Sequence, residues 1–139
     1  MKSTSIDKLT LGQTASFTKI VSDEVVHMFA EASGDVNPAH LDDEFAKTTR
    51  FGKRIAHGMI SASLISAVIG VWFPGPGSIY LGQSLSFIAP VYIGDTITAT
   101  VEVIEIIAEK NRVKLKTVCT NQDGKIVTTG EALVMPPKA

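Results

Sequence analysis

The sequence predicts an α+β fold, a single domain over residues 1–139 in which a curved antiparallel sheet wraps around one long central helix. A chain of 139 residues is the length of one domain. Residues 59–73 form an apolar stretch of a length typical of a buried helix, and Pro74-Gly75-Pro76-Gly77 ends it. Alternating strands with tight turns follow, and tight turns join antiparallel neighbours.

The first strand and the first helix are predicted near the start of the chain. Residues 15–21 alternate apolar and polar side chains, which indicates a half-buried strand. Ser22 is then a helix N-cap, and Asp23 and Glu24 complement the helix dipole in the first turn. Gly34 is a plausible C-terminal stop for this helix.

Between this helix and the central one we predict a turn, a short helix and a loop. Asp35-Val36-Asn37-Pro38 has turn chemistry, because proline cannot continue a preceding helix. Residues 42–47 are predicted as a short helix with an acidic, solvated first turn, and residues 51–56 are predicted as a loop.

The central helix is apolar nearly all round, so we expect other structure to surround it. The 19 residues between Arg54 and Pro74 have no formal charge, which is about the length of a membrane span. His57 and three serines interrupt the segment, and its apolar part is shorter, so a core helix is favoured. The first residues do not resemble a secretory signal, and no membrane association is expected.

Four strands are predicted after the central helix. They cover residues 79–89, 96–107, 112–120 and 125–135, and Asn121-Gln122-Asp123-Gly124 is a hairpin signal between the last two. A sheet of this kind leaves edge strands with unpaired backbone groups, and proteins commonly pair such edges across two subunits.

Composition excludes several classes of function. Hydrophobic residues make up 45% of the chain and charged residues 19%, which excludes intrinsic disorder. The net charge of −1 gives no basic excess for a nucleic-acid partner. The single cysteine, Cys119, can form neither an internal disulfide nor a metal site alone, so a cytoplasmic location is expected. Cys119 itself is predicted to be a small buried hydrophobic residue.

Asp35 and His40 are the first candidates for chemistry. They lie five residues apart across a turn that Pro38 stiffens. A carboxylate and an imidazole on a rigid loop can hold one water molecule from two sides, which general acid–base addition or removal of water requires. The alternative is that Asp35 only caps the turn and His40 is a surface histidine.

Gly58, preceded by His57, is the second candidate. It stands where the central helix begins, so its backbone N–H could stabilise negative charge on a thioester oxygen. The alternative is that Gly58 only permits a tight entry into the helix. Ser66, on the same helix, is expected to bond the Ala62 carbonyl rather than to act as a nucleophile.

Other polar groups give weaker indications. No His, Cys or Asp set has metal-ligand spacing, and neither a phosphate loop nor a dinucleotide-binding motif is present. One loop has a modest basic cluster that could meet the phosphates of a carrier or simply be solvated. The cluster consists of Lys47, Arg50, Lys53 and Arg54.

Five segments together resemble the MaoC-like, or (R)-specific enoyl-CoA hydratase, family. The most specific is Ser33-Gly34-Asp35-Val36-Asn37-Pro38-Ala39-His40, and Ile55-Ala56-His57-Gly58-Met59 is the second. The others are Pro76-Gly77-Ser78-Ile79-Tyr80-Leu81-Gly82-Gln83-Ser84-Leu85-Ser86-Phe87, Pro90-Val91-Tyr92-Ile93-Gly94-Asp95 and Gly130-Glu131. The resemblance extends over nearly the whole chain.

The resemblance implies a hot-dog domain, usually found as a homodimer with its active sites near the interface. The implied reaction is reversible hydration of trans-2-enoyl-CoA to (R)-3-hydroxyacyl-CoA, with no metal or redox cofactor, coenzyme A being part of the substrate. By the match, Asp35 and His40 hold and activate the water, Asn37 supports the loop or the water, and the Gly58 N–H meets the thioester oxygen. Ser66 matches a helix serine that supports the site.

Further expectations concern the substrate. His57 is placed among the supporting residues, and Ile69 and Val71 are expected to line or border the acyl tunnel and set acyl length. A dehydratase acting on acyl-carrier-protein thioesters would use the same residues in reverse. A hot-dog thioesterase or a non-catalytic acyl-binding protein are the alternatives from other classes. Storage-polyester supply, fatty-acid degradation and fatty-acid synthesis are all compatible pathways.

Overall fold

Six antiparallel strands form one sheet, and a continuous helical segment packs against it. The computed structural model describes residues 2–139. The sheet is built from β1 (Thr14–Ile20), β2 (Ile79–Gln83), β3 (Ser86–Phe87), β4 (Thr96–Ile107), β5 (Arg112–Thr120) and β6 (Ile126–Met135). Their order is β1-β4-β5-β6-β2, and β3 also pairs with β6.

Four α-helices lie between β1 and β2 in the sequence. They are α1 (Asp23–Ser33), α2 (Pro38–Leu41), α3 (Asp43–Lys47) and α4 (Gly58–Ala67). A π-helical segment, Val68–Trp72, continues α4, so the two together extend over the predicted central helix. Single 3₁₀ turns occur at Ile6–Lys8 and Ala108–Lys110.

The predicted ends of α1 are confirmed. The Ser22 hydroxyl accepts a hydrogen bond from the Val25 N–H, which satisfies one of the free amides of the first turn. Gly34 follows the helix with a φ of 83°, a left-handed conformation that glycine adopts without steric cost. The chain therefore leaves α1 in a fixed direction, immediately before Asp35.

The long strands confirm the alternation seen in the sequence. β4 and β5 have the predicted bounds, and β1 and β6 differ from prediction by one residue at their ends. Because successive side chains of a strand point to opposite faces, one residue in two enters the core. On β4 these buried residues are Ile97, Ala99, Val101 and Val103.

The strand predicted over residues 79–89 is wrong as a single element, because the structure divides it into β2 and β3. The ladder between β2 and β6 shifts register between Tyr80 and Gly82. At Ser84 one backbone bond remains, from the Ser84 N–H to the Glu131 carbonyl. Side chains supply the other partners: the Gln83 side-chain amide donates to the Ser84 carbonyl, and the Ser84 hydroxyl accepts from the Glu131 N–H. The strand is therefore interrupted before β3.

We expect Gly130→Ala to destabilise the fold at this interruption. A Cβ at Gly130 would lie 1.8 Å from the Ser84 carbonyl oxygen, so the backbone would have to move. Overpacking of this kind typically costs about 1–3 kcal/mol, and urea unfolding should show that loss. Gly70→Ala is the control, because a Cβ there meets nothing within 4 Å and helical alanine is favoured over glycine. Equal stability of the two variants would contradict this interpretation.

The expectation that other structure surrounds the central helix on all sides is wrong for the single chain. One face packs into the core, and another side is open, where Met59 is 52% and Trp72 45% exposed. Ser66 and Gly70 are also exposed on this helix. The reason is geometric, since one sheet covers only one face of a helix. The buried residues of this segment are Ile60, Ser61, Leu64, Ile65, Val68 and Ile69.

Two further expectations can be compared with the structure. Cys119 is fully buried on β5, and burial raises the pKa of its thiol to about 12, so the predicted role as a small core residue is confirmed. Within residues 2–139, no helix combines the length and the hydropathy needed to cross a bilayer.

Candidate active site

The loop between α1 and α2 holds Asp35 by backbone and side-chain hydrogen bonds. The Asp35 N–H donates to the Ser33 hydroxyl at 3.1 Å, and the Asn37 N–H donates to Asp35 Oδ1 at 3.2 Å. The Asn37 side chain caps α2 by accepting from the Ala39 N–H at 2.9 Å, and Pro38 occupies the first helical position. Asp35 therefore has a fixed backbone and an exposed carboxylate whose Oδ2 has no partner within residues 2–139.

His40, near the end of α2, is half-buried and points one ring nitrogen at the backbone. Its Nδ1 lies 2.8 Å from the Ile55 carbonyl oxygen. A carbonyl can only accept, so Nδ1 carries the proton and Nε2 is free to accept one. Hydrogen bonding thus assigns His40 the tautomer that a general base requires.

Arg54 anchors the same turn from outside. Its Nε donates to the His40 carbonyl at 2.7 Å, and its guanidinium forms an ion pair with Asp23 at 2.5 Å. The Arg54 hydrogen bond holds the pKa of the Asp23 carboxyl below its usual range. Arg54, which is only 12% exposed, therefore connects the start of α1 to the end of α2.

His57 lies beneath Asp35 and His40 and is 2% exposed. Its Nε2 donates to the Asp35 carbonyl at 2.9 Å. Its ring stacks on the His40 ring, with centroids 3.9 Å apart and planes inclined by 30°. Phe29 of α1 packs against the same ring at 4.9 Å. His57 thus contacts both halves of the loop.

Asp35, His40 and His57 converge, so the structure brings together the pair that sequence spacing singled out. One potential ligand atom from each lies within 4.8 Å of the others. Two hydrogen bonds of about 2.8 Å to one tetrahedral water span about 4.6 Å, a separation that falls within this limit.

The same three residues could also offer ligands to a metal ion, which the sequence spacing did not predict. Each imidazole directs one nitrogen to a backbone carbonyl, His40 to that of Ile55 and His57 to that of Asp35. The atoms that remain available to a metal ion are therefore one nitrogen on each ring and the solvent-exposed carboxylate of Asp35.

Gly58 begins α4 beside this group and lines a cavity of about 320 Å³. The first amides of a helix have no acceptor within the helix, and no other acceptor for the Gly58 N–H occurs in residues 2–139. Phe87 borders the same cavity, and its ring lies 2.8 Å from the position that a Gly58 Cβ would take. Only glycine leaves this amide and the ring their present positions.

A second cavity, of about 550 Å³, adjoins the site through Phe29 and Met59. Met59 also lines the first cavity, so the two spaces meet at the start of α4. The lining of the second cavity is mostly apolar and includes Ala62, Tyr80 and Leu81. Burial raises the pKa of the Tyr80 hydroxyl to about 12, and this hydroxyl pairs with the Gln83 side chain.

Three expectations about the central helix are corrected. Ser66 is exposed and lines the second cavity, and its hydroxyl makes no bond to the Ala62 carbonyl. Ser63 makes a bond of that type instead, donating to the Ile60 carbonyl at 2.6 Å. Ile69 is buried in the core and Val71 is half-buried, and neither lines either cavity. The Ile69 side chain packs in the hydrophobic core instead.

The predicted basic cluster is divided by its contacts. Lys47 pairs with Glu44 at 2.9 Å, and Arg54 pairs with Asp23. Lys53 lies over the Tyr92 ring. Arg50 lies over Phe51 and lines the first cavity. Arg50 is therefore the member of the cluster that is placed to meet a group entering beside Gly58.

An antiparallel sheet packed on one long helix defines a hot-dog domain, and its candidate site consists of an acid–imidazole pair beside a free helix amide and an apolar cavity. The chain belongs to the MaoC-like domain family, whose sequence pattern matches residues 7–126. The predicted family and fold are thereby confirmed.

Named relatives are similar over nearly the whole chain. An (R)-specific enoyl-CoA hydratase of Rhodospirillum rubrum is 54% identical over 126 residues, which cover 91% of this chain and 87% of the relative. The structure of R-hydratase PhaJ1 from Pseudomonas aeruginosa superposes with a TM-score of 0.92 at 47% identity, covering 97% of this chain and 86% of that one. The (R)-hydratase from Aeromonas caviae involved in PHA biosynthesis gives a TM-score of 0.90 at 48% identity, covering 93% and 98%.

Proposed function

We propose that this protein is an (R)-specific enoyl-CoA hydratase, a hydro-lyase that adds water reversibly to trans-2-enoyl-CoA. The observation on which the proposal depends is the convergence of Asp35 and His40, whose potential ligand atoms lie within 4.8 Å of each other, a limit that includes the span of one bridging water. The names of its relatives agree with this reaction and with its stereochemistry.

In the proposed reaction Asp35 Oδ2 and His40 Nε2 hold the water. One of them removes a proton as the oxygen bonds to C3 of the enoyl group, and a proton is delivered to C2. Negative charge develops on the thioester oxygen as C3 is attacked, and the Gly58 N–H donates to that oxygen at the start of α4. Asn37 keeps the loop rigid as the cap of α2.

The two cavities that meet at this site hold different parts of the substrate. The first cavity reaches Gly58 and has Arg50 in its lining, so it suits the polar carrier arm, coenzyme A, as part of the substrate. The second cavity has a mostly apolar lining next to Phe29, so it suits the acyl chain. A dehydratase on acyl-carrier-protein thioesters would use the same groups in reverse, but the names of the relatives above favour coenzyme A thioesters.

We propose that the protein acts as a homodimer of one domain over residues 1–139, in the cytoplasm and without a metal or redox cofactor. The support for a dimer is an apolar surface on the open side of the helix and the neighbouring edge of the sheet. There Met59, Ile79, Phe87 and Ile88 are each more than half exposed, at 52, 53, 53 and 60%. A second copy of the chain that covers them would also enclose the cavities.

Purified protein mixed with crotonyl-CoA tests the proposed function. We expect loss of the conjugated enoyl absorbance and formation of (R)-3-hydroxybutyryl-CoA. Release of free coenzyme A would instead support a thioesterase. Binding without turnover, on acyl chains of several lengths and on carrier-protein thioesters, would support a non-catalytic acyl-binding protein.

Acyl-chain preference should respond to the second cavity rather than to the core face of the helix. Ala62→Leu adds bulk to that cavity, so we expect turnover of octenoyl-CoA to fall at least about tenfold relative to crotonyl-CoA. Ile69→Val is the comparison variant, because it removes a methyl group from the core at a cost of about 0.5–1.5 kcal/mol in stability. If the chain-length preference changed in Ile69→Val and not in Ala62→Leu, the acyl chain would bind at the core face of the helix rather than in the second cavity.

A further inference from the structure

His57 makes two contacts that the proposed chemistry leaves without a role. Its Nε2 bonds to the backbone carbonyl of Asp35, and its ring stacks on that of His40 with centroids 3.9 Å apart. Neither contact reaches the side-chain oxygen or the free nitrogen that would hold the water. His57 therefore touches both catalytic residues without occupying their functional atoms.

The hydrogen bonds assign opposite tautomers to the two rings. His57 donates from Nε2, whereas His40 donates from Nδ1. His57 Nδ1 is buried and has no hydrogen-bond partner within residues 2–139. The His57 ring therefore makes one hydrogen bond, from Nε2 to the Asp35 carbonyl, and one stacking contact, with the His40 ring. These two contacts place it as a spacer between Asp35 and His40.

We propose that His57 is a positioning residue that sets the separation between the Asp35 carboxylate and His40 Nε2. The Nε2–H fixes the backbone at Asp35, and the ring face fixes the plane of the His40 imidazole. A small misplacement of reacting groups can cost about a hundredfold in rate, so a residue that touches neither substrate nor water can still control turnover. The proposal rests on the proposed function for its kinetic test only.

The two contacts can be removed separately. His57→Gln retains a side-chain N–H donor near the Asp35 carbonyl but has no ring. His57→Phe retains the ring face against His40 and Phe29 but has no donor. His57→Leu has neither. With an enoyl-CoA substrate, we expect kcat of His57→Leu to fall at least about tenfold while KM changes less than about threefold, and Gln and Phe to recover part of the loss.

A purely structural role predicts a different pattern. The three variants would then lose kcat in proportion to their loss of folded protein, measured by circular dichroism and thermal melting. Turnover close to that of the wild type in His57→Leu would also overturn the proposal. His27→Leu is the matched control, because His27 is exposed on α1 and, within residues 2–139, the hydrogen bond and ion pair of its side chain are both with Asp23.

A measurement on the unaltered protein tests the same inference if the variants do not fold. With ¹⁵N-labelled histidine, long-range NMR correlations at a pH of about 8 distinguish the two neutral tautomers. The chain has three histidines, so the spectrum is simple to assign. We expect Nε2–H at His57 and Nδ1–H at His40, and the reverse at His57 would overturn the proposal. Failure of the wild type on every enoyl thioester would overturn the proposed function and leave this result independent.

Discussion

Asp35→Asn is expected to abolish most hydratase activity while the protein stays folded. The amide has nearly the shape of the carboxylate, and its oxygen can still accept from the Asn37 N–H, so the loop keeps its conformation. What is lost is the anionic oxygen that holds the water and takes its proton or, in the other assignment of roles, returns a proton to C2. General acid–base groups contribute about 10²–10⁴-fold to rate, so we expect kcat to fall by at least about 10²-fold. Steady-state hydration of crotonyl-CoA would measure this.

The control for that variant is Asp43→Asn. Asp43 is an exposed acidic residue in the first turn of α3, and its side chain makes no hydrogen bond within residues 2–139. It should therefore retain the activity of the wild type. Turnover of Asp35→Asn within about threefold of the control would exclude Asp35 from the chemistry and reduce it to a turn residue.

Local signals in the sequence were sufficient for most of the fold. Strand alternation placed β4 and β5 at their observed bounds, because each buries every second side chain in one core. The Ser22 cap and the Gly34 stop were readable because each satisfies backbone groups within a few residues of itself. The break between β2 and β3 was not readable, because it depends on Glu131 and Gly130, more than forty residues away.

In the candidate site too, the residues close together in sequence were predicted and the contributions of distant segments were not. Asp35, Asn37 and His40 lie within six consecutive residues, so their spacing alone suggested joint action. The parts of the site that were missed come from distant segments: Arg54 on the His40 carbonyl and Phe29 on His57. In the sequence Arg54 was one of four basic residues, and nothing local marked it as the one paired with Asp23.

The open side of the central helix shows how a correct pattern can lead to a wrong structural expectation. A helix that is apolar all round predicts burial all round, but one sheet covers only one face. Met59 and Trp72 therefore stay exposed in the single chain. The sequence pattern is consistent with a second copy of the chain on that side, which the proposed homodimer would supply.

His40→Asn is expected to lower kcat by at least about 10²-fold, for a reason that differs from the one at Asp35. The asparagine amide can take the place of Nδ1 and donate to the Ile55 carbonyl, so the turn stays anchored, but no group replaces Nε2. His27→Asn, at an exposed position of α1, is the matched control and should be as active as the wild type. Activity of His40→Asn close to that control would remove the imidazole from the mechanism.

The double variant Asp35→Asn/His40→Asn then tests whether the two groups act on one water. Groups that act as a unit are strongly non-additive, because removing either already removes most of what the pair does. If Asp35 and His40 hold the same water, the double variant should be no more than about tenfold slower than the slower single variant. Losses that multiply to the product of the two single effects would mean that the carboxylate and the imidazole act in separate steps on separate atoms. The short distance between the potential ligand atoms of Asp35 and His40, at most 4.8 Å, would then result from the turn alone and would not mark a site for bound water.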